Sequence, residues 1–78
     1  MNSLVKNKPA KAINVWFRDQ KLFVRIEDGR EIAVPLEWFP KLRDAKPEDL
    51  NNWIFIGNGI GIHWESLDED LSVDGLLH

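Results

Sequence analysis

The stretch KLFVRIEDGREIAV, residues 21–34, constrains the fold of this chain more than any other. Two apolar-polar alternations flank an Asp-Gly pair. A strand sends successive side chains to opposite faces, so Leu22, Val24 and Ile26 share one face of the first run. Ile32 and Val34 share the matching face of the second. Asp28-Gly29 supplies the positive φ angles of a two-residue type I′ turn, which predicts an antiparallel hairpin. Upstream, AINVWFR alternates with Ile13, Val15 and Phe17 on one face, and Asp19-Gln20 separates it from the next run. The three segments are expected to form an antiparallel meander.

The other face of that meander carries Trp16, Phe23 and Ala33 among Asn14, Arg18, Arg25 and Glu31. Long basic side chains can cover such rings with their stems. Alternatively, the rings form a second apolar face for a partner or a second subunit.

After residue 35 the period changes. In PLEWFPKLRDAKPEDLNN, Leu36, Phe39 and Leu42 recur at helical spacing beside Trp38. Proline is tolerated only in the first turn of a helix, so a turn at 36–39 and a short helix from Pro40 are expected. Pro47 is expected to open another turn, with Glu48 and Asp49 against the positive end of its dipole. Leu36, Phe39, Leu42 and Leu50 should pack on the sheet. Trp53-Ile54-Phe55-Ile56 is continuously apolar, which predicts a strand buried on both faces. Gly57-Asn58-Gly59 then reads as the turn of a second hairpin. Ile60, Ile62 and Trp64 are predicted on one face of its return strand, with Gly61 and His63 on the other. Gly61 marks a bulge or a close approach to the backbone. Ser66-Leu67-Asp68-Glu69 has the spacing of a capping box, so a short C-terminal helical turn is expected from Ser66, with Asp68, Glu69 and Asp70 in its first turn. The fold class is therefore α+β: an antiparallel sheet of about five strands with short helices.

Seventy-eight residues suffice for one domain, near the lower limit for a self-sufficient core. Residues 1–11 are expected to be a flexible arm and 12–78 the single domain. The chain has no cysteine, which excludes disulfides and thiolate metal ligands. Its first residues hold no apolar signal segment, and no apolar run approaches the roughly 20 residues that span a bilayer. A soluble, cytoplasmic protein is expected. All ten Lys and Arg lie within residues 1–46, whereas residues 47–78 hold seven acids and neither basic type. The halves either complement each other within the fold or present a two-toned surface to a charged partner. Nucleic acid is a poor partner for a domain of net charge −3 without a basic stripe.

Several chemistries fail on residue type or spacing. GNGIG departs from a dinucleotide fingerprint because Ile62 stands where the third glycine belongs, and no phosphate-cradling helix follows. His63 with Glu65, Asp68, Glu69 and Asp70 could ligate a divalent ion, yet helix initiation explains the acids without one. Ser3, Ser66 and Ser72 lack the setting of an activated nucleophile, and the one other histidine is His78. Neither catalytic residues nor a cofactor are assigned, and the chain is not expected to be an enzyme.

The segments DGR at 28–30, PLEWFPKL at 35–42, NW at 52–53 and GNGIGIHWESLDEDLSVDGLL at 57–77 together resemble the bacterial DUF2442 family. The resemblance runs from about Ala12 to Leu77 and is most specific in Gly61–Asp70. It implies a small α+β domain with an antiparallel sheet and lends no catalytic residue. Some members of that family continue into a helix-turn-helix, and others stand beside small partner proteins in arrangements like toxin–antitoxin pairs. This chain ends at His78, so DNA binding is not carried over. The resulting expectation is a protein-interaction module, antitoxin-like or regulatory, whose partner is another small protein or a second copy of itself. Its candidate contacts are Trp16, Phe23, Trp38, His63, Trp64, Asp68, Glu69 and Asp70. The rival readings are a ligand- or metal-binding domain centred on His63 and the acids at 65–70, and the regulatory part of a transcription regulator without its helix-turn-helix.

Overall fold

In the computed structural model, which describes residues 9–77, the chain forms two three-stranded antiparallel sheets joined by short helical turns. The fold is α+β. Most of the segment expected as an arm, residues 1–8, lies outside the described residues. The first sheet is the meander β1 (Ala12–Arg18), β2 (Lys21–Ile26) and β3 (Glu31–Pro35). Leu22, Val24, Ile26 and Val34 turn their side chains into the core, as their alternation predicts.

Strand β1 departs from the predicted parity. Its pairing with β2 shifts register between Ala12 and Asn14, the mark of an extra residue. A bulge reverses the faces on one side of it. Ala12 and Val15 are therefore buried while Ile13, expected in the core, is 56% exposed. The turns also trade types. Arg18 pairs directly with Lys21, and Asp19 and Gln20 have φ of 52° and 62°, so the two-residue I′-type turn is here. At Asp28-Gly29 the ladder resumes only through Ile26 N–H to Arg30 O, and Gly29 N–H reaches Ile26 O. That loop has three residues, with Gly29 at φ 101° closing it in the manner of a glycine bulge.

Residues Leu36–Trp38 form a 3₁₀ turn, followed by α1 (Pro40–Arg43) and α2 (Pro47–Leu50), each opening on its proline. Leu36 and Leu42 are buried, and Phe39 and Leu50 pack beside them. The second sheet comprises β4 (Trp53–Ile56), β5 (Gly61–Trp64) and β6 (Glu69–Ser72), with β5 central. The expected single sheet of about five strands is thus two sheets of three, because the helical turns at 36–50 separate the meanders and a sixth strand replaces the expected helix. Ser66 caps nothing. Its hydroxyl donates to Asp49 Oδ1 at 3.2 Å, and Asp68 adopts φ 52°, which stops a helix before it starts. Glu69–Ser72 then pairs with β5. The helix begins one segment later as α3 (Val73–Leu76), where Ser72 Oγ accepts the N–H of Gly75 at 3.1 Å.

Strand β4 is not buried on both faces. It is an edge strand on which Ile54 and Ile56 are exposed and Trp53 and Phe55 are half-buried. The β4–β5 turn is a hairpin connection, as expected, and at Gly59 it passes tightly against the backbone of β1. A β-carbon there would lie 2.5 Å from the carbonyl oxygen of Ala12, at φ 102°. Gly61 lies against the Ile56 side chain, 2.8 Å from where its β-carbon would be, which accounts for its lack of a side chain. At the centre, Ile62, Trp64 and Val73 are fully buried with Leu22 and Leu42. Trp64 Nε1–H donates to Leu50 O at 2.8 Å and so pins the second sheet to the end of α2. Among the described residues no helix is long and apolar enough to cross a membrane.

Candidate functional site

The register places the candidate contacts on three distinct surfaces. Trp16 and Phe23 are cross-strand partners on the outer face of the first sheet, stacked with ring centroids 5.5 Å apart. Arg18 lies 5.0 Å from the Phe23 centroid and Arg25 5.4 Å from that of Trp16. Arg25 is in turn paired with Glu31, its Nε 3.0 Å from Oε2. Both rings are thus partly covered from within the chain by arginine side chains.

Trp64 is a correction. It is 0% exposed, at the core centre, and its one polar atom is satisfied by Leu50, so no surface contact can be made through it. Its neighbour His63 points the other way, out of the second sheet, between β4 and β6. Across from it stand Ile54 on one side and Asp70 on the other. His63 Nε2 lies 2.8 Å from Glu65 Oε1, and Nδ1 contacts Asp70 Oδ1. Hydrogen bonds to Glu65 and then Asp70 raise the imidazole pKa above its ordinary value of 6.5, since both carboxylates favour the charged ring. In that form the ring donates an N–H to each carboxylate and keeps no lone pair for a metal. Among the described residues no group of three or more His, Cys, Asp or Glu side chains is disposed to hold a metal ion.

The third surface joins residues that the sequence separates. Beside the outer edge of β6, Trp38 and Phe39 on one side and Leu71 and Leu76 on the other enclose a groove of about 310 Å³. Asp70 and Ser72 supply its polar rim. Trp38 is 64% exposed, the most exposed large hydrophobic side chain among the described residues. The Asp70 side chain is 66% exposed while one of its oxygens serves His63. Asp68 sits in the adjoining β5–β6 turn, where its carbonyl accepts from Lys41 Nζ at 3.0 Å, and Glu69 opens β6. Trp38 and Asp70 thus line one groove, with Asp68 and Glu69 alongside and His63 reached only through Asp70, whereas Trp16 and Phe23 lie on the other sheet. Two larger hollows, of about 530 and 440 Å³, lie against the Asp28 and Asp19 turns and mix charged with apolar residues in their linings.

Sequence reasoning passed over Leu71 and Leu76, which line the groove, and Ile54 and Ile56, which the second sheet exposes. The alternation of Glu69, Leu71 and Val73 against Asp70 and Ser72 carried the signal for β6. It competed with a capping-box spacing on the same residues.

The sequence profile of a protein family of unknown function, DUF2442, matches residues 12–78. The chain belongs to the DUF2442 family. Two solved structures resemble this DUF2442 domain. One is the crystal structure of a protein of unknown function from Rhodospirillum rubrum, 30% identical, with a TM-score of 0.77 over 90% of this chain and 87% of that one. The other is the solution NMR structure of an uncharacterized protein from Chromobacterium violaceum, 26% identical, with a TM-score of 0.71. That match covers 86% of this chain and 63% of the other. No curated protein matches the chain.

Proposed function

We propose that this DUF2442 domain is a non-enzymatic protein-interaction module that receives an apolar segment bearing a basic residue in the groove beside β6. The observation that carries the reading is Trp38: a tryptophan left 64% exposed, on the wall of an apolar groove whose rim is a carboxylate. Burying an indole is among the largest single contributions an interface residue makes, often about 2 kcal/mol or more. Asp70 sets the sign of the partner. The His63 ring engages one of its oxygens and the Lys41 ammonium stands at Asp68, but the Asp70 side chain stays 66% exposed next to Glu69, so it can still meet a cation. An arginine entering the groove can meet the indole face and the carboxylate at once.

The residues offered to such a partner are Trp38 and Asp70, with Asp68 and Glu69 steering from the adjoining turn and strand. Cytoplasmic placement and a role beside a small partner protein, antitoxin-like or regulatory, are consistent with this reading and add nothing to its chemistry.

The test compares acetyl-Leu-Arg-Leu-amide with acetyl-Leu-Glu-Leu-amide by calorimetry or NMR titration. The arginine peptide is expected to bind and the glutamate peptide not. Trp38→Ala should weaken binding at least about tenfold, and Asp70→Asn should remove most of the difference between peptides. Equal binding of the two peptides, or undiminished binding to Trp38→Ala, would refute the proposal.

A further inference from the structure

The opposite edge of the same sheet raises a separate question. Exposed sheet edges are normally blunted by charges, prolines or bulges, because an open ladder pairs with other chains. Three of the four edge strands here follow that rule: β1 carries a bulge and Arg18, β3 carries Glu31 and Pro35, and β6 carries Glu69 and Asp70. Strand β4, Trp53-Ile54-Phe55-Ile56, has none of these features. Among the described residues its backbone bonds only to β5. Its outward side chains, Ile54 and Ile56, are 56% and 42% exposed, and Ile60 beyond the turn is 40% exposed.

We propose that β4 is a homodimerisation strand, pairing antiparallel with β4 of a second copy to make one six-stranded sheet.

The charge distribution favours a second copy as the occupant. A strand without charge sets no like charges opposite one another when it meets itself. The acidic β6 strands fall at the two far edges of the combined sheet, five strand spacings apart. That is about 24 Å at roughly 4.8 Å per spacing, against a screening length of about 8–10 Å. Geometry narrows the register as well. Residues directly opposite in an antiparallel ladder share a face, so a two-fold axis normal to the sheet must pass through a residue and not between two. With the axis at Phe55, Ile54 of each copy faces Ile56 of the other, and the exposed isoleucines cover each other. The grooves beside β6 lie on the outer edges, so the dimer would present both, and the two surfaces can be lost separately.

Analytical ultracentrifugation of the chain over roughly 1 μM to 1 mM tests this. The wild type is expected to reach twice its 9.1 kDa mass, with a dissociation constant on the order of 10–100 μM, in keeping with an interface under about 1,200 Å². Ile54→Lys places an ammonium on the edge without touching the core and should weaken association at least about tenfold, with its circular dichroism unchanged. Trp38→Ala, on the other edge, should dimerise like the wild type. Amide exchange supplies a second readout, since outward-facing N–H groups of β4 gain protection only in the dimer. A wild type that stays monomeric throughout overturns the proposal. So does an Ile54→Lys chain that dimerises normally, or a dimer abolished by Trp38→Ala.

Discussion

Replacing Trp64 with phenylalanine should unfold this domain at a markedly lower temperature, and the size of the loss follows from one hydrogen bond and its surroundings. Trp64 is 0% exposed, and its Nε1–H reaches Leu50 O at 2.8 Å. Leu50 ends α2, so its carbonyl is one of those that a helix leaves without an internal partner. Phenylalanine keeps an aromatic ring but has no donor, and among the described residues no other group bonds that oxygen. Removing the donor strands the acceptor, which costs about 1–2 kcal/mol for a part-buried carbonyl. With about 1 kcal/mol for the void left by the smaller ring, the total is about 2–3 kcal/mol. A domain of this length holds together by about 4–12 kcal/mol at ~0.05–0.15 kcal/mol per residue. At about 4–8 °C per kcal/mol, Tm should fall by about 10–20 °C. Thermal and urea unfolding followed by circular dichroism measure both quantities, with Trp38→Phe as the surface comparison that should move stability by less than about 0.5 kcal/mol. If Trp64→Phe also stayed within that margin, Trp64 would not be the pin between sheet and helix that its geometry implies.

Two glycine substitutions compare a turn of each sheet. Gly59→Ala should cost at least about 2 kcal/mol, since its β-carbon meets the Ala12 carbonyl oxygen. Gly29→Ala, at nearly the same φ but with nothing within 4 Å, should cost only about 1 kcal/mol. Equal unfolding midpoints for the two would show that the contact at Gly59 is not tight. His63 makes a prediction about pH. Its carboxylate partners raise the folded-state pKa above 6.5, so the clamp's contribution is complete below that value and is lost as pH rises through the folded pKa. The Tm advantage of the wild type over His63→Gln should therefore be full below about pH 6.5 and shrink as pH rises above it. An advantage that grew with pH would contradict the assignment of a charged ring.

The first sheet was legible because its alternation and its turns agree. Leu22, Val24, Ile26 and Val34 lie where period two puts them. Ile13 does not, because a bulge leaves no mark in the spacing of side chains: it is set by how β1 pairs with β2. The prolines at 40 and 47 declared the helix starts, since each fixes its own φ and needs no donor. The C-terminal third was harder. Four consecutive apolar residues in β4 suit a buried strand and an unprotected edge equally well, and only the partner on each side distinguishes them. At Ser66–Glu69 two local rules competed. Asp68 in the left-handed region and pairing with β5 decided for a strand and moved the cap to Ser72. Trp38 and Asp70 were both flagged as contacts, one for its size and one for its charge. That they share a groove depends on the turn at Trp38 and Phe39 lying beside β6, a juxtaposition across 32 positions that no local pattern encodes.

The central claim is that partners enter beside β6 and not across the Trp16–Phe23 face. An isotope-labelled chain titrated with acetyl-Leu-Arg-Leu-amide tests it residue by residue. The account predicts that the Trp38 indole N–H and the backbone amides of Asp70, Ser72 and Gly75 shift together and saturate on one curve. Shifts confined to Trp16, Phe23 and their arginines, or none at any concentration, would contradict it.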